Sequence, residues 1–284
     1  MKNLFLVIFV AAVAIYLSSC NGATSQTEVS KDSTKQSTTP VKEEMVAEKK
    51  PATAHEILAR KQVPILCYHR IRDIKMPSKA SMGYEVTLAQ FKAHMKVLSD
   101  SGYHSITPDE YYNYLVYGTE LPEKPVMITY DDTREEHYTV AKAEMEKYGF
   151  KGVFFIMTIS INRPNYMSKA QIKQLSDDGH VVASHSWDHK RVDRLQGNDW
   201  TEQFDKPRKQ LEEITGKQIA YFAYPFGIWS QEAIPEIKSR NYKMSFILST
   251  KRDSLEPLHT VRRMIVSPEW SPQGVVKVMK STFK

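Results

Sequence analysis

From residue 63 onward the chain repeats one pattern: a short apolar run rich in β-branched residues, then a stretch with helical spacing. The runs are residues 63–68, 126–130, 152–157, 181–184, 219–224, 244–248 and 261–266. Between them, Leu88, Phe91, Met95 and Leu98 keep the spacing of one helix face, with Thr87 as N-cap and Gly102 as stop. Thr107-Pro108 reads as an N-cap followed by proline at the first helical position. Residues 168–178 form a further helix ending at Gly179, and residues 231–240 another, with Pro235 as a site for a kink. Alternating strands and helices imply a largely parallel sheet, either closed into a barrel or open and doubly wound. There is no internal repeat. Neither a G-x-G-x-x-G nor a Walker loop occurs, which removes the usual support for nucleotide binding.

The first 61 residues are of a different kind. Lys2 precedes an apolar run over residues 4–17, too short to span a bilayer as a stable helix. It fits an export signal, residues 1–19. Leu17-Ser18-Ser19-Cys20 resembles the lipobox of bacterial lipoproteins. That resemblance implies lipidation of Cys20 and attachment to a membrane of the cell envelope. Asn21, rather than Asp, follows the cysteine and points to the outer membrane. Residues 20–61 read as a disordered tether: from Tyr16 to Tyr68 there is no aromatic residue, and Ser, Thr, Lys, Glu and Gln dominate. Such a segment buries too little apolar surface to offset its ordering entropy. About 35 flexible residues reach roughly 35 Å, enough to lift a domain off a surface. Residues 62–284 are then the folded domain.

Charge narrows the partners. The chain carries 39 Lys+Arg against 33 Asp+Glu, a formal net charge of +6. No basic stripe interleaved with aromatics appears, so nucleic acid is not an expected partner. The only cysteines are Cys20 and Cys67, and Cys67 sits inside an apolar run as an expected buried, inert thiol.

Chemistry concentrates where strands end. Residues 126–132 read V-M-I-T-Y-D-D, a strand running into the adjacent carboxylates Asp131 and Asp132. In parallel α/β folds, ligands gather at the carboxyl ends of strands. Neighbouring side chains on a strand point to opposite faces, so both Asp converge only where the strand breaks into a loop. A second strand runs into His185 and His189. If the chain turned helical there, both imidazoles would share a face, about 5–6 Å apart. Two neutral His and one Asp leave open positions on a divalent ion, and a second Asp beside them can serve as base. His69 ends the first strand and faces the same rim if all strands run parallel. The Pro225-Phe226-Gly227 turn follows the fifth, where backbone N–H groups can bind an oxyanion.

With these residues in view, the chain resembles the polysaccharide deacetylases of the NodB-homology type, over about residues 62–270. The family pattern T-[FY]-D-D is met by Thr129 to Asp132, H-[ST]-x-x-x-H by His185 to His189, and the Pro-aromatic-Gly turn by Pro225 to Gly227. The initial Tyr68-His69 is similar to a permuted subgroup acting on poly-N-acetylglucosamine. The resemblance implies a distorted (β/α) barrel of about seven mostly parallel strands. It assigns Asp131 as general base, and Asp132, His185 and His189 as ligands of one divalent ion, by default zinc. It makes His69 the general acid, with His259 as the competing choice, and gives the Phe226 N–H to the oxyanion. Tyr224, Pro225 and Trp187 are substrate-binding candidates. Where the family carries an arginine before its Pro-aromatic-Gly turn, this chain has Ala223, and Arg263 is the candidate to orient the base in its place. Thr133 stands where Gly is common. The implied reaction is removal of N-acetyl groups from an N-acetylglucosamine polysaccharide, with acetate as product. An O-acetyl esterase of xylan type and a catalytically degenerate glycan binder are the alternatives. A non-haem iron oxygenase would need an H-x-[DE] pair that this metal motif lacks.

Overall fold

The computed structural model describes residues 50–75, 83–248 and 251–284. The export signal, Cys20 and most of the tether lie outside the described residues. In chain order the strands are β1 (Ile65–Tyr68), β2 (Arg70–Arg72), β3 (Glu85–Thr87), β4 (His104–Ser105), β5 (Pro125–Tyr130), β6 (Gly152–Ile156), β7 (Val181–Ser184), β8 (Tyr221–Ala223), β9 (Met244–Ile247), β10 (Val261–Arg262) and β11 (Met264–Ile265). The main sheet runs β10-β9-β8-β7-β6-β5-β1-β11, every pairing parallel, with β4 added beside β5.

Its two ends, β10 and β11, are separated in sequence by Arg263 alone. The Arg263 N–H donates to the Ile247 carbonyl and the Val266 N–H to that of Cys67, so one stretch of chain bonds both edges. The result is a nearly closed barrel, the expected (β/α) architecture with eight strands rather than seven. The extra strand arises because the 261–266 run divides at Arg263 to serve two neighbours.

Strand alternation sorts the core into two layers. Ile65, Met127, Val153, Phe155, Ala183, Tyr221, Ala223, Met244 and Phe246 fill the barrel interior. Leu66, Tyr68, Ile128, Tyr130, Phe154 and Phe222 face outward into a second layer with Phe91, Met95, Leu98 and Leu211. The helices follow their sequence signals. Leu88–Asp100, Pro108–Tyr117 and Lys169–Asp177 each begin with a capping box, at Thr87, Thr107 and Ser168. Pro235 does not kink a helix. The helix is Ala233–Ser239, and Pro235 lies in its first turn, where backbone N–H groups lack intrahelical partners in any case.

The tether ends sooner than its composition suggests. Residues Ala54–Ala59 form a helix with a Thr53–Glu56 capping box, and Ile57 is buried against the barrel layer. The Ala52 N–H donates to Val116 O at 2.8 Å. One buried isoleucine and one good cap hold a segment that otherwise reads as polar linker.

Gly227 has φ +68°, and a Cβ there would lie 2.7 Å from Leu248 Cβ and 2.8 Å from its backbone nitrogen. Gly227→Ala therefore meets both strain and a backbone clash, and should cost about 2 kcal/mol or more in urea unfolding. Gly83→Ala, with open space and no positive φ, should leave the midpoint almost unmoved. Equal midpoints for the two variants would contradict this account.

Candidate active site

Alternation also selects which side chains reach the barrel mouth. Ile65 and Cys67 point inward, and His69, two residues on, keeps that parity. Met127, Thr129 and Asp131 do the same on β5, and Ala183 and His185 on β7. Asp131, Arg263 and His185 are buried. Asp132 has the opposite parity and reaches the site only because the backbone turns left-handed, with φ +73° at Asp132 and +61° at Thr133.

Of nine non-glycine residues at positive φ among the described residues, five belong to the site loops: Asp132, Thr133, Ser186, His189 and Phe226. Such strain persists only where the surroundings over-determine it. Here they do. Thr133 Oγ1 accepts from the Met157 N–H at 2.7 Å and donates to Met157 O at 3.2 Å. Ser186 Oγ accepts from the His189 N–H at 3.0 Å. Threonine in place of glycine after the Asp pair thus offsets its backbone strain with two hydrogen bonds. The His pair is not helical. It converges through left-handed turns at Ser186 and His189.

Three donor atoms meet. His185 Nε2 and His189 Nε2 are 3.1 Å apart, and Asp132 Oδ1 lies 3.7 and 3.6 Å from them. Ligands on a tetrahedral ion with bonds of about 2.1 Å are separated by roughly 3.4 Å, so the triangle fits a divalent ion. The other ring nitrogen of His185, Nδ1, sits 2.8 Å from Ala223 O. A donor there fixes the tautomer that leaves Nε2 free to ligate. Burial, then the nearness of His185, lowers the His189 pKa to about 4, so it stays neutral at physiological pH.

Asp131 is held differently. Arg263 grips it with two parallel hydrogen bonds, Nη1 to Oδ1 at 2.6 Å and Nη2 to Oδ2 at 2.8 Å. Arg263 Nη1 also reaches Thr129 Oγ1 at 3.2 Å, and the guanidinium lies 4.9 Å from the Phe155 ring centre. Burial alone would raise the Asp131 pKa, but Arg263 and His185 hold it well below the usual carboxylate range. Oδ2 faces His69 Nε2 and His185 Nε2, both at 3.9 Å. Burial lowers the His69 pKa, opposed by Asp131 and Asp132. Cys67, fully buried, sits 3.6 Å from Asp131 Oδ2, and burial raises its thiol pKa.

The structure thus brings together His69, Asp131, Asp132, His185 and His189, with Arg263 behind the base. His259 is elsewhere. It is buried before β10, with Nδ1 3.3 Å from Ser245 Oγ and its carbonyl accepting from the Tyr224 hydroxyl. Tyr224 and Pro225 are corrected as substrate-binding candidates: both are buried, and the Tyr224 hydroxyl is used on His259. Trp187 is half-buried with Lys206 Nζ 3.3 Å above its ring, which covers one face. Phe226 is the member of its turn that faces out. Sequence reasoning missed His137, whose Nε2 lies 2.7 Å from His69 O and braces the backbone of the candidate acid. It stands in a π-helical turn, His137–Lys142, a distortion that only tertiary packing reveals. A cavity of about 580 Å³ at the opposite, amino end of the barrel, lined by Val63, Tyr103, Pro125 and Phe283, contains none of these residues.

The buried pair makes a pH-dependent contribution to stability. Because the folded pKa of Asp131 is depressed, that contribution is full above about pH 4, the unfolded value, and declines as pH falls further. Arg263→Met should cost about 3–5 kcal/mol in unfolding free energy at pH 7 and clearly less at pH 3. A loss that is the same at both pH values would contradict this origin.

Residues 118–245 match the family model described as polysaccharide deacetylase. The matched stretch holds the Asp pair, the His pair and the Pro-Phe-Gly turn, while His69 and Arg263 lie outside it. The Bacillus subtilis protein YxkH, named among the polysaccharide deacetylases, is 27% identical over 95% of this chain and 96% of its own length. A poly-beta-1,6-N-acetyl-D-glucosamine N-deacetylase of Staphylococcus aureus is 26% identical over 66% of this chain and 72% of its own. Among solved structures, the Streptococcus pyogenes deacetylase PplD in complex with acetate superposes with a TM-score of 0.70 at 22% identity, covering 77% of this chain and 98% of that one, and supports the fold. Over residues 118–245 this chain matches the polysaccharide deacetylase domain, and a relative that aligns along nearly its whole length is named among the polysaccharide deacetylases.

Proposed function

We propose that the domain is a metal-dependent hydrolase that removes N-acetyl groups from an N-acetylglucosamine polysaccharide and releases acetate. The observation that carries this reading is the donor triangle of Asp132, His185 and His189 beside a second, ionised carboxylate that is not part of it. A divalent ion, zinc by default, would be held by those three side chains; when bound it polarises the acetyl carbonyl and acidifies a water, which a base as weak as Asp131 needs. The weakness follows from the Arg263 fork, which stabilises the ionised form. Asp131 accepts the proton of the attacking water at Oδ2, the oxygen turned toward His69. His69 Nε2 supplies a proton to the departing amine. The Phe226 N–H donates to the oxyanion that forms at the former carbonyl. Asp131 Oδ2 and His69 Nε2, 3.9 Å apart, stand close enough for base and acid to serve one substrate.

The likeness to the Staphylococcus aureus N-deacetylase favours a β-1,6-linked glucosamine polymer as substrate. A lipid on Cys20 would hold the domain at the bacterial outer membrane, near such a surface glycan. Cys20→Ala should then release the protein from membranes, and retention of the variant would contradict the anchor.

Two measurements test the chemistry. His185→Ala should lose bound metal and acetate release together while the thermal transition persists; full metal content in that variant would contradict the ligand set. His69→Ala should lower kcat by about 10²–10⁴ with metal content intact, whereas His259→Ala should keep kcat within a few-fold. The reverse ranking would move the acid to His259.

A further inference from the structure

Tyr84 and Phe226 are 45% and 56% exposed, two of four large hydrophobic side chains so placed among the described residues. Both border the site, on opposite members of it. The Phe226 ring meets His189 edge-to-face at 4.4 Å between centres. The Tyr84 ring meets His69 edge-to-face at 6.3 Å. Candidate acid and candidate metal ligand are thus each flanked by an exposed aromatic ring, with Asp131 and Asp132 between them.

The backbone beneath Tyr84 is anchored although its ring is not covered. Its carbonyl accepts from the Arg70 N–H at 3.2 Å, where β2 and β3 form a separate parallel pair. Ile71 and Val86 bury that pair in the core. Arg72 bonds Glu85 at 3.2 Å, and Arg70 ties the pair to Glu136, beyond the Asp motif, at 2.8 Å. A tyrosine on so fixed a base presents a rigid apolar face at small entropic cost. The C–H face of a pyranose is the complementary surface.

We propose that Tyr84 is a substrate-positioning residue, forming the His69-side wall of a slot for one hexosamine ring, with Phe226 as the opposite wall. The proposal rests on the glycan reading above and adds to it a residue no sequence pattern singles out. The test compares pentamers of β-1,6- and β-1,4-linked N-acetylglucosamine with 4-nitrophenyl acetate, an acetyl donor that has no sugar. For the better pentamer, Tyr84→Ala should raise KM about tenfold, the size of one aromatic contact, with kcat lowered less than twofold. The ratio of pentamer to ester kcat/KM should fall about tenfold. Tyr84→Phe and Tyr84→Trp should restore KM, which a purely structural role would not require. Tyr117→Ala, an exposed tyrosine outside the site, serves as the neutral control. An unchanged KM in Tyr84→Ala, or equal losses on pentamer and ester, would overturn the slot. A wild-type protein that cleaves the ester but frees no acetate from either pentamer would overturn the glycan reading, and the proposal with it.

Discussion

The contact on which the site depends is the buried fork of Arg263 on Asp131. It joins the residue that closes the barrel to the residue that follows β5. Removing two charges from water is costly unless they are paired and their hydrogen-bonding capacity is met. Both Asp131 oxygens receive a hydrogen bond, and the guanidinium finds further partners in Thr129 Oγ1 and Ile247 O. The same fork fixes the charge of the candidate base. Structure and chemistry therefore share one interaction, and neither can be changed alone.

The remaining side chains converge through local strain. Left-handed turns after β5 and β7, and at the tip of the Pro-Phe-Gly loop, rotate Asp132, His189 and Phe226 into a space that regular backbone would deny them. Each turn is secured by its own polar contacts or by close packing, as at Thr133, Ser186 and Gly227. The sheet supplies a rigid rim, and three short loops carry out the fine placement. This division explains how Thr133 is accommodated where glycine is common in the family that the chain resembles, because its hydroxyl is bonded twice to Met157.

Much of this was legible in the sequence. All seven apolar runs contain strands, and the capping residues Thr87, Thr107 and Ser168 start the helices expected of them. The Asp pair and the His pair announce themselves through residue type and position at strand ends. The tether boundary, the π-helical turn bracing His69 and the exposure of Tyr84 were not legible. Each depends on contacts with segments distant in sequence. That Phe226, rather than Tyr224 or Pro225, is the exposed side chain of its turn was equally hidden, since one left-handed residue decides which of them faces out.

By itself the sequence determined the strand and helix alternation, the parity that sends His69, Asp131 and His185 inward, and the residue types able to hold a metal ion. Those are local properties, set by side-chain period and chemistry. The family resemblance made Arg263 a candidate to orient the base, but the tertiary structure decided that it would stand behind Asp131. Its position is fixed by closure of the barrel, where it links β10, paired with β9, to β11, paired with β1, 132 residues from the carboxylate it holds. Local pattern carries no record of such a pairing, because the free energy that selects it comes from shutting the ring and burying the two charges together.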